Sequence, residues 1–574
     1  MRCTFRRSCS LVIVAAAGLL GAAGCGPRVE PADLVLTNGH VATADAARPA
    51  AEGIAVRGGR VEAVGSVSDM KAYIGQKTEV IDLAGAFAMP AFTDAHAHFQ
   101  GVGQAKLQLP LMKARNWEEI VALVAEAAKT AKPGEWILGR GWHQEKWDHR
   151  PADAVEGFPT QADLTRVAPQ NPVVLTHASG HAIVVNAKAM ELSGITRRTP
   201  NPPGGAIMKD KAGNPTGVFE ERASGLIEKA LDETLARRTP EQAEADATRV
   251  VEKADREFIS KGIVSVQDAG VGFDTVDLYK RLAASGRLNV RLYVMISEPA
   301  ERLAGNLQKY RMVDAYDSHL TVRSIKRIMD GALGSRTAWL LAPYADLATT
   351  TGIDTVSADE MKATAALAIE HDFQLNTHAI GDRANREVLD LYEATFKAHP
   401  GKTDLRWRVE HAQHLSAADI PRFGALGIIP SMQGIHCTSD APYVLMRLGA
   451  ARAEEGAYVW QKLMKSGAVI PNGTDAPVEE VDPLPGYYAL TTRREKNGDV
   501  FYGDQKMSRD EALRAYTLNG AYAAFEEKSR GSLTPGKLAD IVVLSSDITR
   551  VPEEQIQKAE VLYTIVGGRI AYKK

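Results

Sequence analysis

The chain is 574 residues long, 45% hydrophobic and 24% charged, with a formal net charge of −3. That apolar content is enough for a large core and excludes a disordered chain. The balanced charge, with no long basic run, excludes a nucleic-acid binder that works by neutralising phosphates, and the length exceeds one ordinary small domain.

The chain opens with Arg2, Arg6 and Arg7, followed by an unbroken apolar run from Leu11 to Ala23. The run falls well short of the ~20 residues a transmembrane helix needs, so residues 1–24 read as a signal peptide. It ends in Ala22-Ala23-Gly24-Cys25, small residues leading to a cysteine, which resembles the lipobox of bacterial lipoproteins. Cys25 is then the lipidated first residue of an exported protein anchored to a bacterial membrane. Gly26 rather than Asp after it points to the outer membrane, facing the periplasm, in a Gram-negative source. Ordinary cleavage after a small residue is the competing expectation. Cys3 and Cys9 leave with the leader, so Cys437 is left without a partner for an internal disulfide.

Residues 25–33 read as a linker. From 34 to 88, LVLTNGHVAT, GIAVRGGRVEAVG and TEVIDLAG are short alternating runs with turns at Asn38-Gly39 and Gly58-Gly59. Residues 526–574 share that texture, with ADIVVLSSD and VLYTIVGGRIAY turning at Gly567-Gly568. The two ends are therefore expected to build one β-sandwich. Between them strands alternate with helical segments, as in an α/β fold with a TIM-like (β/α)8 barrel. The strand candidates begin with AFAMPAFTDAH, whose barrel part lies in 89–105. They continue through 222–525 with GIVSVQDAG, VRLYVMI, VRSIKRIMDG, FQLNTHAIGD, LRWRVEHAQ, LGIIPSMQ and AVIPNGTDAP. The count reaches eight only if residues 106–221 are an inserted subdomain. That stretch holds Trp117, Trp136, Trp142 and Trp147, four of the seven tryptophans. They fit either a small core or a substrate-covering lid, and a lid would suit an aromatic or apolar acyl group.

Chemistry concentrates at the strand ends. In FTDAHAH, His96 and His98 are two apart, so in an extended strand both imidazoles can face one ion, and imidazole is a common zinc ligand. His378 closes FQLNTHAIGD, His411 closes LRWRVEHAQ and Asp475 closes AVIPNGTDAP. In a barrel those ends converge on one face. Any one of these histidines reads equally well as a satisfied core residue; together they point to a metal site.

These motifs, with GWHQEKW, SGHAIVVN, VQDAG, KRIMDGALGSRTAWL, THAIGDRAN, VEHAQHL, SMQGIHCTSD, GTDAPVEEVDPL and GSLTPGKLADIVVL, carry a resemblance to a known family. From about Leu34 to the C-terminus the chain resembles the amidohydrolase superfamily, in particular the amidohydrolase-3 group that includes N-substituted formamide deformylases. The resemblance implies a metal-bearing barrel and a hydrolase of carbon–nitrogen bonds. It implies metal ligands at His96, His98, His378, His411 and Asp475, and Lys326 as the lysine that can be carboxylated into an anionic bridge. One or two divalent ions are expected, zinc first, with manganese or iron as alternatives. Asp475 is also the expected catalytic group, shuttling a proton from metal-activated hydroxide chemistry to the leaving amine. The competing reading of Lys326 is an ion pair with Asp330. Thr474 departs from the family pattern, where serine usually precedes the aspartate, but keeps the hydroxyl.

Substrate contacts are expected from His181, Asp268, Asp330, Arg336 and His436. His181 would reach over from the insertion, Arg336 would hold a carboxylate or polarise a carbonyl, and Asp268 would orient a ligand histidine. For each, a loop-bracing hydrogen bond is the plainer alternative. His40, His143, His149, His319, His371, His399 and His414 read as surface or structural, and Cys437 beside His436 is not read as a nucleophile pair. The expected partner is a small amide-like substrate, with a homodimer by family analogy. Competing functions are an esterase, lactonase or cyclic-amide hydrolase on the same site, and a catalytically weak, metal-retaining binding protein.

Overall fold

The computed structural model describes residues 29–574, so the expected leader, 1–24, and the lipidation at Cys25 lie outside the described residues. Among those described, no helix is long and apolar enough to cross a membrane. The N-terminal alternating runs become strands Leu34–Thr37, Gly53–Arg57, Arg60–Gly65 and Glu79–Asp82 of one four-stranded sheet. A second sheet joins the chain ends: Phe87–Pro90 pairs antiparallel with Ile541–Leu544, and Val561–Val566 and Arg569–Lys573 extend it. The period of two decides what goes inside. Leu34 and Leu36 enter the core shared with Ile541, Val543 and Ile565, whereas Val35 faces the other way and packs with Ala55 and Met70.

Gly58-Gly59 and Gly567-Gly568 turn with φ of 55°, 75°, 53° and 76°, the two-residue hairpin geometry that matches strand twist. The two turns touch. A β-carbon at Gly59 would stand 3.0 Å from the Gly567 carbonyl oxygen, so a side chain there would push the chain ends apart. At the seam with the barrel, Arg291 makes a bidentate pair with Asp540 at 2.9 and 3.0 Å.

Seven parallel strands form the barrel wall in the spatial order Phe92–Ala97, Ile263–Val271, Arg291–Ile296, Leu320–Ile328, Gln374–Ala379, Arg408–His411 and Ile429–Ser431. The eighth candidate, AVIPNGTDAP, fills the gap between the last and the first without forming a regular strand. Ala95 N donates to Asn472 O at 3.1 Å, Asp475 N to His96 O at 2.7 Å and Gly473 N to Met432 O at 3.0 Å. Pro471 has no N–H for a ladder, and Asp475 has a φ of 56°, so the periodicity of a strand is lost. Gly473 permits a close approach: a β-carbon there would stand 2.5 Å from His96 N.

The insertion after the first barrel strand folds as a six-stranded sheet with Pro215–Glu221, Ala182–Val185, Val173–His177 and Ile137–Trp142 at its centre. Trp117 and Trp142 are buried in its core, with Trp147 packed against both; Trp136 is half-buried on the opposite face. None of these four lines the cavity described below, so they act as core and carry no information about the acyl group.

Candidate metal centre

A cavity of about 740 Å³ opens at the C-terminal ends of the barrel strands, beneath the insertion. Barrel active sites are built at this face because the loops after each strand converge there. His96 projects from the first strand and is fully buried; its Nδ1 is hydrogen-bonded to Glu410 Oε2. That contact leaves Nε2 facing the centre, 3.5 Å from Asp475 Oδ1 and 3.5 Å from Lys326 Nζ. His98, one residue past the strand, brings Nε2 to 3.3 Å from the same Asp475 oxygen. His96, His98 and Asp475 thus place one ligand atom each within 4.8 Å of one another.

His378 and His411 complete the ring. Their ring centres lie 4.5 Å apart, and His411 lies 4.6 Å from His96. Gln433 Oε1 stands 2.8 Å from His411 Nδ1, and Asp330 Oδ1 3.4 Å from His378 Nε2. In a regular strand His411 would face away from Arg408 and Glu410; its φ of 75° at the strand end turns it to the same side. The fully buried Arg408 clamps Glu410 and Ser431, which keeps the Glu410 carboxylate ionised, with its pKa pushed down to about 2 despite burial.

This environment suits a divalent cation. Burial brings the His96 pKa down to about 4, helped by Lys326 and opposed by Glu410. Burial also lowers His378, against Asp330, and His411, with His378 and His96 adding to it. Burial opposes charge on Asp475, but the close approach of the His436 and His98 rings and the other nearby imidazoles outweigh it and hold the carboxyl well below its usual range. Asp475 Oδ1 accepts no hydrogen bond among the described residues. Neutral imidazoles around an ionised carboxylate with an unsatisfied oxygen are the donor set that zinc and similar metals take. Lys326 is buried and its pKa is lowered by that burial, which favours the neutral amine that carboxylation requires.

The other expected residues divide. His436 stands 3.4 Å from Asp475 Oδ2 and lines the cavity. His181 reaches over from the insertion, its ring 5.2 Å from that of His378 and its Nδ1 2.9 Å from Glu221 Oε2. Asp330 does not pair with Lys326: it accepts from Trp339 N, Ile380 N and Gly381 N at 2.8, 2.9 and 2.8 Å and so braces the loop after His378. Asp268 accepts from Phe99 N at 3.0 Å and Tyr279 Oη at 2.7 Å, which pins the chain just after His98 and orients no ligand ring directly. Arg336 is held by Asp346 at 2.9 Å and does not line the cavity. Thr474 uses its hydroxyl to grip Asp94 Oδ2 at 2.5 Å, while its N–H bonds Oδ1 at 3.0 Å. The Cys437 thiol is buried and pushed up to about 12, unfit as a nucleophile.

Sequence reasoning missed Glu410, Glu221, Gln433 and Arg140, and it misplaced His143, which is 7% exposed and lines the cavity. A carboxylate immediately before a ligand histidine, as in Val409-Glu410-His411, was a readable signal for Glu410. Nothing in the local sequence marks the others: the insertion brings in Glu221, Arg140 and His143 from a distance, and Gln433 follows the barrel strand Ile429–Ser431.

Similarity to known proteins agrees with this geometry. The pattern described as the amidohydrolase family matches residues 79–572. The chain is 32% identical to the protein LONG AFTER FAR-RED 3 of Arabidopsis thaliana over 94% of this chain and 92% of that one. It is 26% identical to the N-substituted formamide deformylase of Arthrobacter pascens, over 94% and 98%. A crystal structure of an uncharacterized metal-dependent hydrolase from Pyrococcus horikoshii superposes with a TM-score of 0.72 at 26% identity, covering 91% of this chain and 99% of that one. A pattern match across most of the chain, on a barrel whose strand ends gather these imidazoles and this carboxylate, makes the protein a member of the amidohydrolase family.

Proposed function

We propose that the protein hydrolyses a carbon–nitrogen bond of amide, N-formyl or N-acyl type in a small molecule, with one or two divalent ions, zinc first among them. The observation that carries this reading is the convergence of His96, His98, Lys326, His378, His411 and Asp475 on one cavity. The similarity to a formamide deformylase supports the bond class. His96, His98, His378, His411 and Asp475 would hold the metal, with Lys326 as a carboxylated bridge. A bound metal supplies Lewis acidity and brings the pKa of water from 15.7 to about 7.

The chain's own residues do the rest. Asp475 takes the proton of the attacking water and passes it to the departing nitrogen. His436 holds the other Asp475 oxygen, and Glu410 fixes the His96 tautomer. Burial opposes charge on His181, but Glu221 outweighs it and raises the pKa, so His181 is a hydrogen-bond donor above the site for the substrate carbonyl. One water is consumed per bond broken, and an acid and an amine are released.

The test is metal content per chain, measured on protein purified without chelator and with bicarbonate present, followed by turnover on N-formyl, N-acyl, ester and lactone compounds. About two equivalents, falling in Lys326→Ala, with turnover of the amides, is the expected result. No bound metal after zinc, manganese or iron is supplied sinks the reading. Turnover of esters alone moves it to another bond class. Residues 1–25 support an exported, lipid-anchored protein, and Cys25→Ala is expected to release it from the membrane fraction.

A further inference from the structure

The cavity that holds the proposed metal centre has a roof contributed by the insertion, and that roof carries a cation the mechanism leaves unused. Arg140 lies on the strand Ile137–Trp142 and lines the same cavity as His98, His181 and Asp475. Its only hydrogen bond among the described residues runs from Nη2 to Ala178 O at 3.2 Å. Its Nε is buried without a partner, and no carboxylate lies within ion-pair distance of it among the described residues. Lys146, in the same cavity, is answered by Glu479 at 3.3 Å. A half-satisfied guanidinium is costly to bury unless something else meets it.

The local backbone keeps that guanidinium open to the cavity. Ala178, Ser179 and Gly180 form the loop it lies against, and they too line the cavity. Gly180 has a φ of 79°, and a β-carbon there would stand 3.5 Å from Nη2 and 3.8 Å from Nη1. The glycine therefore both permits the turn and leaves the guanidinium uncovered. Burial brings the Arg140 pKa down to about 10, opposed by Asp475, so the group is charged at neutral pH.

We propose that Arg140 anchors a carboxylate of the substrate, so that the hydrolysed compound is an anionic amide: an N-acyl amino acid, or the monoamide of a dicarboxylic acid. The planar guanidinium fork suits a carboxylate in a two-point contact, which fixes orientation as well as charge. This rests on the proposed hydrolysis for its substrate class, and the reaction needs nothing beyond the one water already counted. The carboxylate is a bystander that remains on one product, on the amine side in the first class and on the acyl side in the second.

The experiment compares each acid with its neutral methyl ester or carboxamide, using metal-loaded wild type, Arg140→Gln and Arg140→Lys. Both N-acyl amino acids and dicarboxylic monoamides are included, so the source of the carboxylate is read directly. The wild type is expected to prefer the acids by between about ten- and a hundredfold in kcat/KM, mostly through KM. Arg140→Gln is expected to bring the ratio near one, and Arg140→Lys to restore part of it. A purely bracing role would instead lower acid and ester alike and lower Tm, which leaves the ratio unchanged and overturns the proposal. Binding of N-acetyl amino acids is measured alongside by calorimetry. Carboxylate-dependent binding lost in Arg140→Gln, without turnover of any amide, would keep the anchor and sink the hydrolase. Neither binding nor preference for any acid in the wild type overturns the anchor.

Discussion

Three histidines on the floor of the cavity and His181 on its roof are buried with opposite results. On the floor, His96, His378 and His411 are all pushed towards the neutral form by burial, which their neighbours do not overcome. On the roof, His181 is less deeply enclosed, and its pKa is raised because Glu221 at 2.9 Å outweighs burial. A partner carboxylate alone does not explain the difference, since His96 also touches one in Glu410. The distinction is what else lies nearby: Lys326 faces His96, and Arg408 already claims Glu410. At His96 burial and nearby positive charge favour the neutral imidazole, whereas at His181 nearby negative charge favours the protonated donor.

The largest test of this contrast falls on the floor. Asp475→Asn is expected to keep most of the bound metal while turnover falls by about 10²–10⁴-fold, the range of a lost general acid–base group. Turnover close to wild type would remove Asp475 from the proton path. Chelation comes next: removing a ligand present at a hundred times its Kd costs about 2.7 kcal/mol of stability. Tm should therefore drop and return on adding zinc, and a Tm indifferent to metal would mean that the floor imidazoles are packed for structure alone. Glu410→Gln weakens the hold on the His96 tautomer and is expected to cost about 10–100-fold in metal affinity or activity, read by metal titration.

The smallest effect belongs to the roof. Glu221→Gln removes the main group that raises His181, so its titration, followed by NMR of the ring, is expected to move down in pH as burial goes less opposed. In the wild type the charged pair persists below the raised pKa and dissolves as pH rises through it. Metal content should not change, and kcat/KM should fall by about fivefold, the worth of one ordinary hydrogen bond. A loss of metal in this variant would show that floor and roof are one unit.

Much of this was legible in the chain itself. The alternating runs at both ends, with Gly58-Gly59 and Gly567-Gly568, are local signals, and local signals decide strands and turns. The His96/His98 spacing and the strand-end positions of His378, His411 and Asp475 are readable because a barrel brings strand ends together whatever its loops do. The eighth strand was overcalled: AVIPNGTDAP has the apolar run of a strand, but Pro471 and the positive φ of Asp475 deny it a ladder. Arg336 and Asp268 were misjudged for a related reason. A charged residue near a strand end has the same sequence signature whether it faces the cavity or, as these do, braces Asp346 or the Phe99 N–H.

The sequence by itself determined the sandwich, the barrel class and the residue types of the candidate metal centre, because period, turn chemistry and motif spacing act over a few residues. Only the tertiary structure decided which way His411 turns, that Glu410 rather than Asp268 holds a strand-end histidine, His96, and that the tryptophans pack as core. It also decided that Arg140 and His181 hang over the site from a separate sheet. Those outcomes depend on groups hundreds of positions apart meeting in a dry cavity, where a neighbour's charge, not a residue's own identity, sets its protonation and its role.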